Sequence, residues 1–172
     1  MSVTLVLGGA RSGKSRFAES LARGECHYIA TAEAHDDEMQ ERIDLHKTRR
    51  GGSWTTHEET REIAALITSL SRPQRFVLVD CLTLWLSNLL MAEEDGERAA
   101  QELCTALQQQ RSDVVLVSNE VGLGIVPVMP LGRVFRDAQG ILNQQVAAIS
   151  DTVVFVAAGL PLALKGQVPQ RP

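Results

Sequence analysis

The chain is 172 residues long, with 44% hydrophobic and 22% charged content, which is enough for one compact domain with a proper core and leaves no room for a second of ordinary size. Lysine and arginine number 17 against 21 aspartates and glutamates, a formal net charge of 17 − 21 = −4, so a nucleic-acid surface would have to be a local patch, and the longest basic cluster, Lys47 to Arg50, better matches a phosphate tail. Cys26, Cys81 and Cys104 are widely spaced with no CxxC pair, no apolar stretch approaches the roughly 20 residues that cross a bilayer, and the N-terminus reads as neither signal nor transit peptide, so a cytoplasmic enzyme spanning 1–172 is expected.

In chain order, the β-branched run Val3 to Leu7 predicts a buried strand that leads into a glycine-rich loop and a helix from Lys14 to Arg23. A second strand is expected over His27 to Thr31, then a helix from Asp36 to Arg49, a loop at Arg50 to Ser53 and a helix from Glu58 to Ser71. Phe76 to Asp80 predicts a third strand, followed by helices over Leu82 to Met91 and Glu97 to Arg111 with a loop at Ala92 to Gly96. Strands at Val114 to Ser118 and Val153 to Ala157 flank a loop at Gly122 to Pro130 and a helix at Gly132 to Ser150, and the tail from Gly166 to Pro172 is expected to fray. The strands are apolar throughout rather than alternating, as when helices cover both faces of a mainly parallel sheet, so the fold class is α/β with right-handed crossovers.

Gly8, Gly9, Ala10, Arg11, Ser12, Gly13, Lys14 and Ser15 satisfy G-x-x-x-x-G-K-[ST] between a predicted strand and a predicted helix. That context aims consecutive backbone N–H groups and the positive end of the helix at a β-phosphate, and it makes the fold P-loop NTPase-like. Lys14 is expected to reach the β- and γ-phosphates of ATP or GTP, and the Ser15 hydroxyl to bind Mg2+. A random chain of this length matches the pattern on the order of once in a hundred or more, and the flanking elements lower that further.

Asp80 ends an apolar strand at the edge where ligands of such sheets collect, which suits a metal or nucleotide partner; the alternative is a cap for the helix beginning near Leu82. From Asp36 to Trp54, acidic residues come first and basic ones last, as the helix dipole favours. His46 then lies beside Lys47, Arg49 and Arg50, cations that disfavour a second positive charge and keep a neutral imidazole available as a nucleophile near pH 7. The competing reading is a solvated helix end with an incidental histidine. His27, His35 and His57 lack that basic cluster.

The segments GGARSGKS from Gly8, YIATA from Tyr28, DDEM followed by RI, His46 and Trp54, VDCLTLWLSNLL from Val79, VLVSNEVGLGIVP from Val115, GRVFRDAQGILNQQ from Gly132 and AGLPLALK from Ala158 run along almost the whole chain. They resemble the bifunctional adenosylcobinamide kinase and adenosylcobinamide-phosphate guanylyltransferase family of cobalamin biosynthesis. The resemblance implies that ATP or GTP phosphorylates the aminopropanol hydroxyl of adenosylcobinamide. It further implies that GTP transfers GMP to His46, and that adenosylcobinamide phosphate takes up the GMP to give adenosylcobinamide-GDP. It also implies nucleotide contacts at Ala30, Thr31, Ala32, Lys47, Thr48, Arg49, Arg50, Glu58 and Asp80, and a homotrimer. The loop Gly122 to Pro130 and the helix carrying Arg133, Phe135 and Arg136 are candidates for the corrinoid pocket or, equally, for folding and trimer contacts. A small-molecule kinase without nucleotidyl transfer is the competing enzyme, separated from this reading by His46. A regulatory GTPase would read guanine through N-K-x-D, whereas the late strand here ends Ser118-Asn119-Glu120.

Overall fold

The computed structural model describes residues 1–32 and 54–170. The predicted helix Asp36 to Arg49, the loop Arg50 to Ser53, and with them His46, Lys47, Thr48, Arg49 and Arg50 lie outside the described residues. The described elements are β1 (Val3–Gly8), α1 (Lys14–Glu19), β2 (Glu25–Ala30), β3 (Trp54–Glu58), α2 (Ile63–Leu70), β4 (Arg75–Asp80), α3 (Leu82–Met91), α4 (Gly96–Gln109), β5 (Asp113–Asn119), α5 (Pro130–Ile149), β6 (Thr152–Ala157) and β7 (Leu160–Lys165). The strands form one seven-stranded sheet in the order β3-β2-β4-β5-β1-β6-β7, parallel throughout except for β7.

Side chains alternate across this sheet into two apolar layers. Val6, Leu78, Val117 and Val156 pack with Phe17, Ala18 and Leu21 of the α1 segment. On the other face Leu5, Val77, Val79 and Leu116 pack with residues of α2, α3, α4 and α5, among them Ile67, Trp85, Leu103 and Leu142. The expectation of helices on both faces is met. Trp85 lies at the centre of the larger layer with its indole N–H on Arg61 O at 2.7 Å, so a large apolar ring is buried without orphaning its donor.

Two unexpected strands and two helix ends are the main departures from expectation. Trp54 to Glu58 is a strand paired with β2, and the helix predicted from Glu58 begins only at Ile63. The aromatic and β-branched residues Trp54, Thr55 and Thr56 suit an edge strand, and the Glu59 carboxylate accepts from the N–H groups of Arg61 and Glu62, closing a turn ahead of the helix. α1 ends at Glu19 rather than Arg23, because Leu21 N and Ala22 N donate to carbonyls three residues back and tighten the chain toward Gly24. β7 was not expected: Ala158 and Gly159 both take positive φ, 51° and 77°, and form the tight hairpin turn that lets Leu160 pair with Ala157.

Candidate active site

The phosphate loop leaves β1 at Gly8, where no larger residue fits: a Cβ there would stand 2.5 Å from Val156 O and 2.6 Å from Ser12 Oγ. Gly13 takes φ 96°, and a Cβ on it would meet Gly159 Cα at 3.1 Å. Neighbouring segments clamp the loop from both sides. Glu120 N donates to Gly8 O at 3.2 Å, and Gly159 N donates to Ser12 O at 2.8 Å. Lys14 Nζ donates to Gly9 O at 3.1 Å, which holds the ammonium over the loop, and no side chain caps the first turn of α1. Ala10 and Arg11 form the exposed rim, whereas Gly8 is buried and Gly9, Ser12, Gly13, Lys14 and Ser15 are half-buried. The loop thus offers backbone donors and an uncapped helix start to an anion.

Parallel pairing brings three further predicted residues to the same edge. Ala30 pairs with Glu58 on one side and with Asp80 on the other. Alternation along each strand puts Asp80 and Glu58 on the face that α1 covers, since Leu78 and Trp54 pack in the α1 layer. Tyr28, which opens the YIATA segment but to which the sequence alone assigns no role, donates its hydroxyl to Asp80 Oδ2 at 3.1 Å and orients the carboxylate. The alternative of a helix cap at Asp80 does not apply: α3 is capped at Cys81, without a side-chain hydrogen bond. Thr31 is fully buried, and its hydroxyl accepts from Cys81 N–H and donates to Cys81 O, both at 2.8 Å. Asn88 Nδ2 donates to Thr31 O at 2.8 Å and to Thr60 O at 3.1 Å, so α3 fixes the path of the chain leaving β2. Ala32 follows in the same segment, half-buried. Burial pushes the Cys81 thiol up to about 11, with the adjacent Asp80 charge adding to the effect, so Cys81 stays protonated and unreactive.

His57 is not at this site. Its partner in register, Ile29, packs in the opposite apolar layer, and His57 Nε2 faces His27 Nδ1 at 3.0 Å. His27 Nε2 in turn meets Glu25 Oε1 at 3.0 Å, and Arg75 pairs with the same carboxylate at 3.0 Å. Burial, followed by the neighbouring His27 and Arg75, holds the His57 imidazole below its ordinary proton affinity.

The family-specific segments also acquire places. Ser118, Gln139 and Asn143 form a buried network: Ser118 Oγ donates to Asn143 Oδ1 at 2.7 Å, and Gln139 Nε2 donates to Ser118 Oγ at 2.9 Å. Arg133 donates to Pro127 O at 3.0 Å and Val128 O at 2.6 Å, joining the loop to its helix, and Phe135 packs against the core. Arg136 pairs with Asp137 at 2.9 Å.

The model of the family described as cobinamide kinase / cobinamide phosphate guanyltransferase matches residues 4–164 of this chain. The chain belongs to that family. It is 48% identical over 170 residues to the bifunctional adenosylcobalamin biosynthesis protein CobP of Pseudomonas aeruginosa, covering 95% of this chain and 97% of that protein. It is 44% identical over 178 residues to the bifunctional adenosylcobalamin biosynthesis protein CobU of Salmonella typhimurium, covering 94% and 98%. A solved Pyrococcus horikoshii OT3 protein, project PH0250, superposes with a TM-score of 0.55 at 9% identity over 96% of this chain and 86% of that one, a likeness of fold. The chain is therefore a phosphoryl- and guanylyl-transferring enzyme of cobalamin biosynthesis, whose substrates are a corrinoid and nucleoside triphosphates. No helix among the described residues is long and apolar enough to cross a membrane.

Proposed function

We propose that one nucleotide site serves both transfers, with the phosphate loop holding the triphosphate and His46 carrying GMP between them. The observation that carries this reading is the convergence of the clamped loop, Lys14, Asp80 and Glu58 on one face of one sheet edge. In the kinase step the aminopropanol hydroxyl of adenosylcobinamide attacks the γ-phosphorus of ATP or GTP, and the nucleoside diphosphate leaves. Loop N–H groups, the start of α1 and Lys14 stabilise the charge on the transferred group. In the guanylyl step a neutral His46 nitrogen attacks the α-phosphorus of GTP and pyrophosphate leaves; adenosylcobinamide phosphate then attacks the same phosphorus, releasing the histidine and giving adenosylcobinamide-GDP. The covalent intermediate divides one difficult displacement into two. Lys47, Thr48, Arg49 and Arg50 supply charge and donors for the phosphates around His46; Ala30, Ala32 and Glu58 line the nucleotide, while Thr31, fully buried and tied to Cys81 and Asn88, holds the segment in place rather than touching the nucleotide.

Mg2+ fits the donors present. Ser15 offers a hydroxyl in the first turn of α1, and Asp80 offers a hard carboxylate on the same face. No cluster of three or more His, Cys, Asp or Glu side chains suited to a metal occurs among the described residues, as suits a cation that keeps several waters and binds mainly through substrate phosphates. When bound, the ion would neutralise charge on the β- and γ-phosphates. We further assign the enzyme to the cytoplasm as a homotrimer built of one domain per chain. The exposed apolar side chains of Ile125, Val128, Leu160, Leu162 and Leu164 support burial against other subunits.

The experiment is incubation with GTP labelled in the α-phosphate. The wild-type protein should acquire an acid-labile label, and His46→Ala should acquire none while keeping at least part of its kinase turnover. A His46→Ala protein that still takes up GMP would place the nucleophile elsewhere.

A further inference from the structure

We propose that Asn119 is a catalytic residue of phosphoryl transfer, its side-chain amide donating to the γ-phosphate of the bound nucleotide. Asn119 ends β5, the strand between β1, which carries the phosphate loop, and β4, which carries Asp80. It pairs with Gly8, two residues beyond Val117, the partner of Asp80. Val115 and Val117 pack in the α1 layer, so by alternation the Asn119 side chain stands on the α1 face, between the loop and the Asp80 carboxylate.

The backbone of this residue is tied from two helices. Its N–H donates to Thr83 Oγ1 of α3 at 2.8 Å, and its C=O accepts from Asn143 Nδ2 of α5 at 3.1 Å. Asn143 is itself held by Ser118 and Gln139. Yet the amide that this framework positions has no partner among the described residues, and its Oδ1 is buried. Burying such a group unpaired is costly, so its retention needs a reason other than folding. An asparagine kept for a turn or a cap would spend its amide on nearby backbone, and this one does not. Ser12 Oγ, beside Gly8 in the loop, is also buried and unpartnered. Asn119 and the loop residue Ser12 thus each carry a buried polar atom without a partner among the described residues, at the paired ends of β5 and β1.

A phosphate oxygen accepts only, so its partner here would be Nδ2, the amide atom that has no hydrogen bond among the described residues and, unlike Oδ1, is not buried. With the loop amides on the β-phosphate and Lys14 at the β- and γ-oxygens, the γ-phosphate would lie over the strand between β1 and β4. As the acceptor hydroxyl forms its bond to the γ-phosphorus, the bond to the β–γ bridging oxygen breaks. The nucleoside diphosphate leaves with that electron pair, and the hydroxyl proton passes to solvent. Charge gathers meanwhile on the equatorial γ-oxygens, where a preorganised N–H acts most strongly.

This inference rests on the kinase activity of the family and not on His46. Wild-type kinase turnover tests that activity, and three variants of the full chain test the inference. Asn119→Ala should lower kinase kcat about 10²-fold, with KM for the corrinoid within about threefold and a melting temperature no lower than wild type. Asn119→Ser, which restores a donor, should recover part of the loss. Asn119→Asp, nearly isosteric but charged against the phosphate, should recover none. Labelling by α-labelled GTP should fall less than kinase turnover, because there the γ-phosphate belongs to the leaving group. Kinase kcat within about threefold of wild type in Asn119→Ala or Asn119→Asp, or a loss of kinase and labelling in step with a lowered melting temperature, would overturn the assignment.

Discussion

Replacing Gly8 by alanine tests whether the loop is clamped as the structure shows. The new methyl would stand 2.5 Å from Val156 O and 2.6 Å from Ser12 Oγ. Unstrained C···O contacts begin at about 3.3 Å, so something must move by about 0.8 Å. Val156 O is main chain of a fully buried strand residue and cannot yield cheaply, which leaves the loop to shift. Overpacking of this kind costs about 1–3 kcal/mol, and at roughly 2–4 °C per kcal/mol the melting temperature should drop by about 2–12 °C. A loop displaced by most of an ångström also misplaces its N–H groups, so turnover should fall by about 10²-fold. Gly9→Ala is the internal control for the fold. A Cβ on Gly9 meets nothing within 4 Å, and its φ is not positive, so its melting temperature should match wild type. Differential scanning fluorimetry and kinase assays on both variants decide the matter. A Gly8→Ala protein that melts and turns over like wild type would refute the packing argument.

Lys14→Ala should abolish both transfers with the fold intact, a loss of at least about 3 kcal/mol in the transition state by analogy with other preorganised donors, read as kcat/KM for each reaction. Asp80→Asn should raise the Mg2+ concentration needed for half-maximal turnover while leaving corrinoid KM unchanged; a fall in melting temperature alone would count against the metal role. The folded His57 imidazole binds its proton less readily than the ordinary value of 6.5, so its contribution to stability is complete above that pH. As pH falls through about 6.5 the unfolded chain takes up the proton first, and stability is lost until the folded imidazole protonates too. His57→Gln should therefore show a smaller drop in urea midpoint between about pH 7.5 and 5.5 than wild type; equal drops would assign the acid sensitivity to other groups.

Some of this molecule could be read directly from residue order, because the physics involved is local. Val3 to Leu7 and Phe76 to Val79 are strands in any setting that covers both their faces, and a strand, G-x-x-x-x-G-K-S and a helix start make a phosphate cradle wherever they occur together. Family membership was also legible, since long specific segments such as SNEVGLGIVP need no coordinates to be matched. β3 and β7 escaped because each is exposed at the sheet edge, where alternation is weak: β3 depends on β2 for its pairing, and β7 on a turn in which Ala158 adopts an unfavourable φ.

Contacts between residues far apart in sequence were decided by the tertiary structure alone. Only strand order sets Asp80 two strands away from the loop and puts Asn119 on the strand between them. Strand parity and pairing alone turn Glu58 toward the face that α1 covers and His57 away from it, although the two are adjacent in sequence. The demand that Gly8 remain glycine comes from a carbonyl 148 positions later in the chain, and the orientation of Asp80 comes from Tyr28 on a neighbouring strand. A motif records which groups are available, whereas the sheet, by bringing distant strand ends to one edge, determines which of them meet.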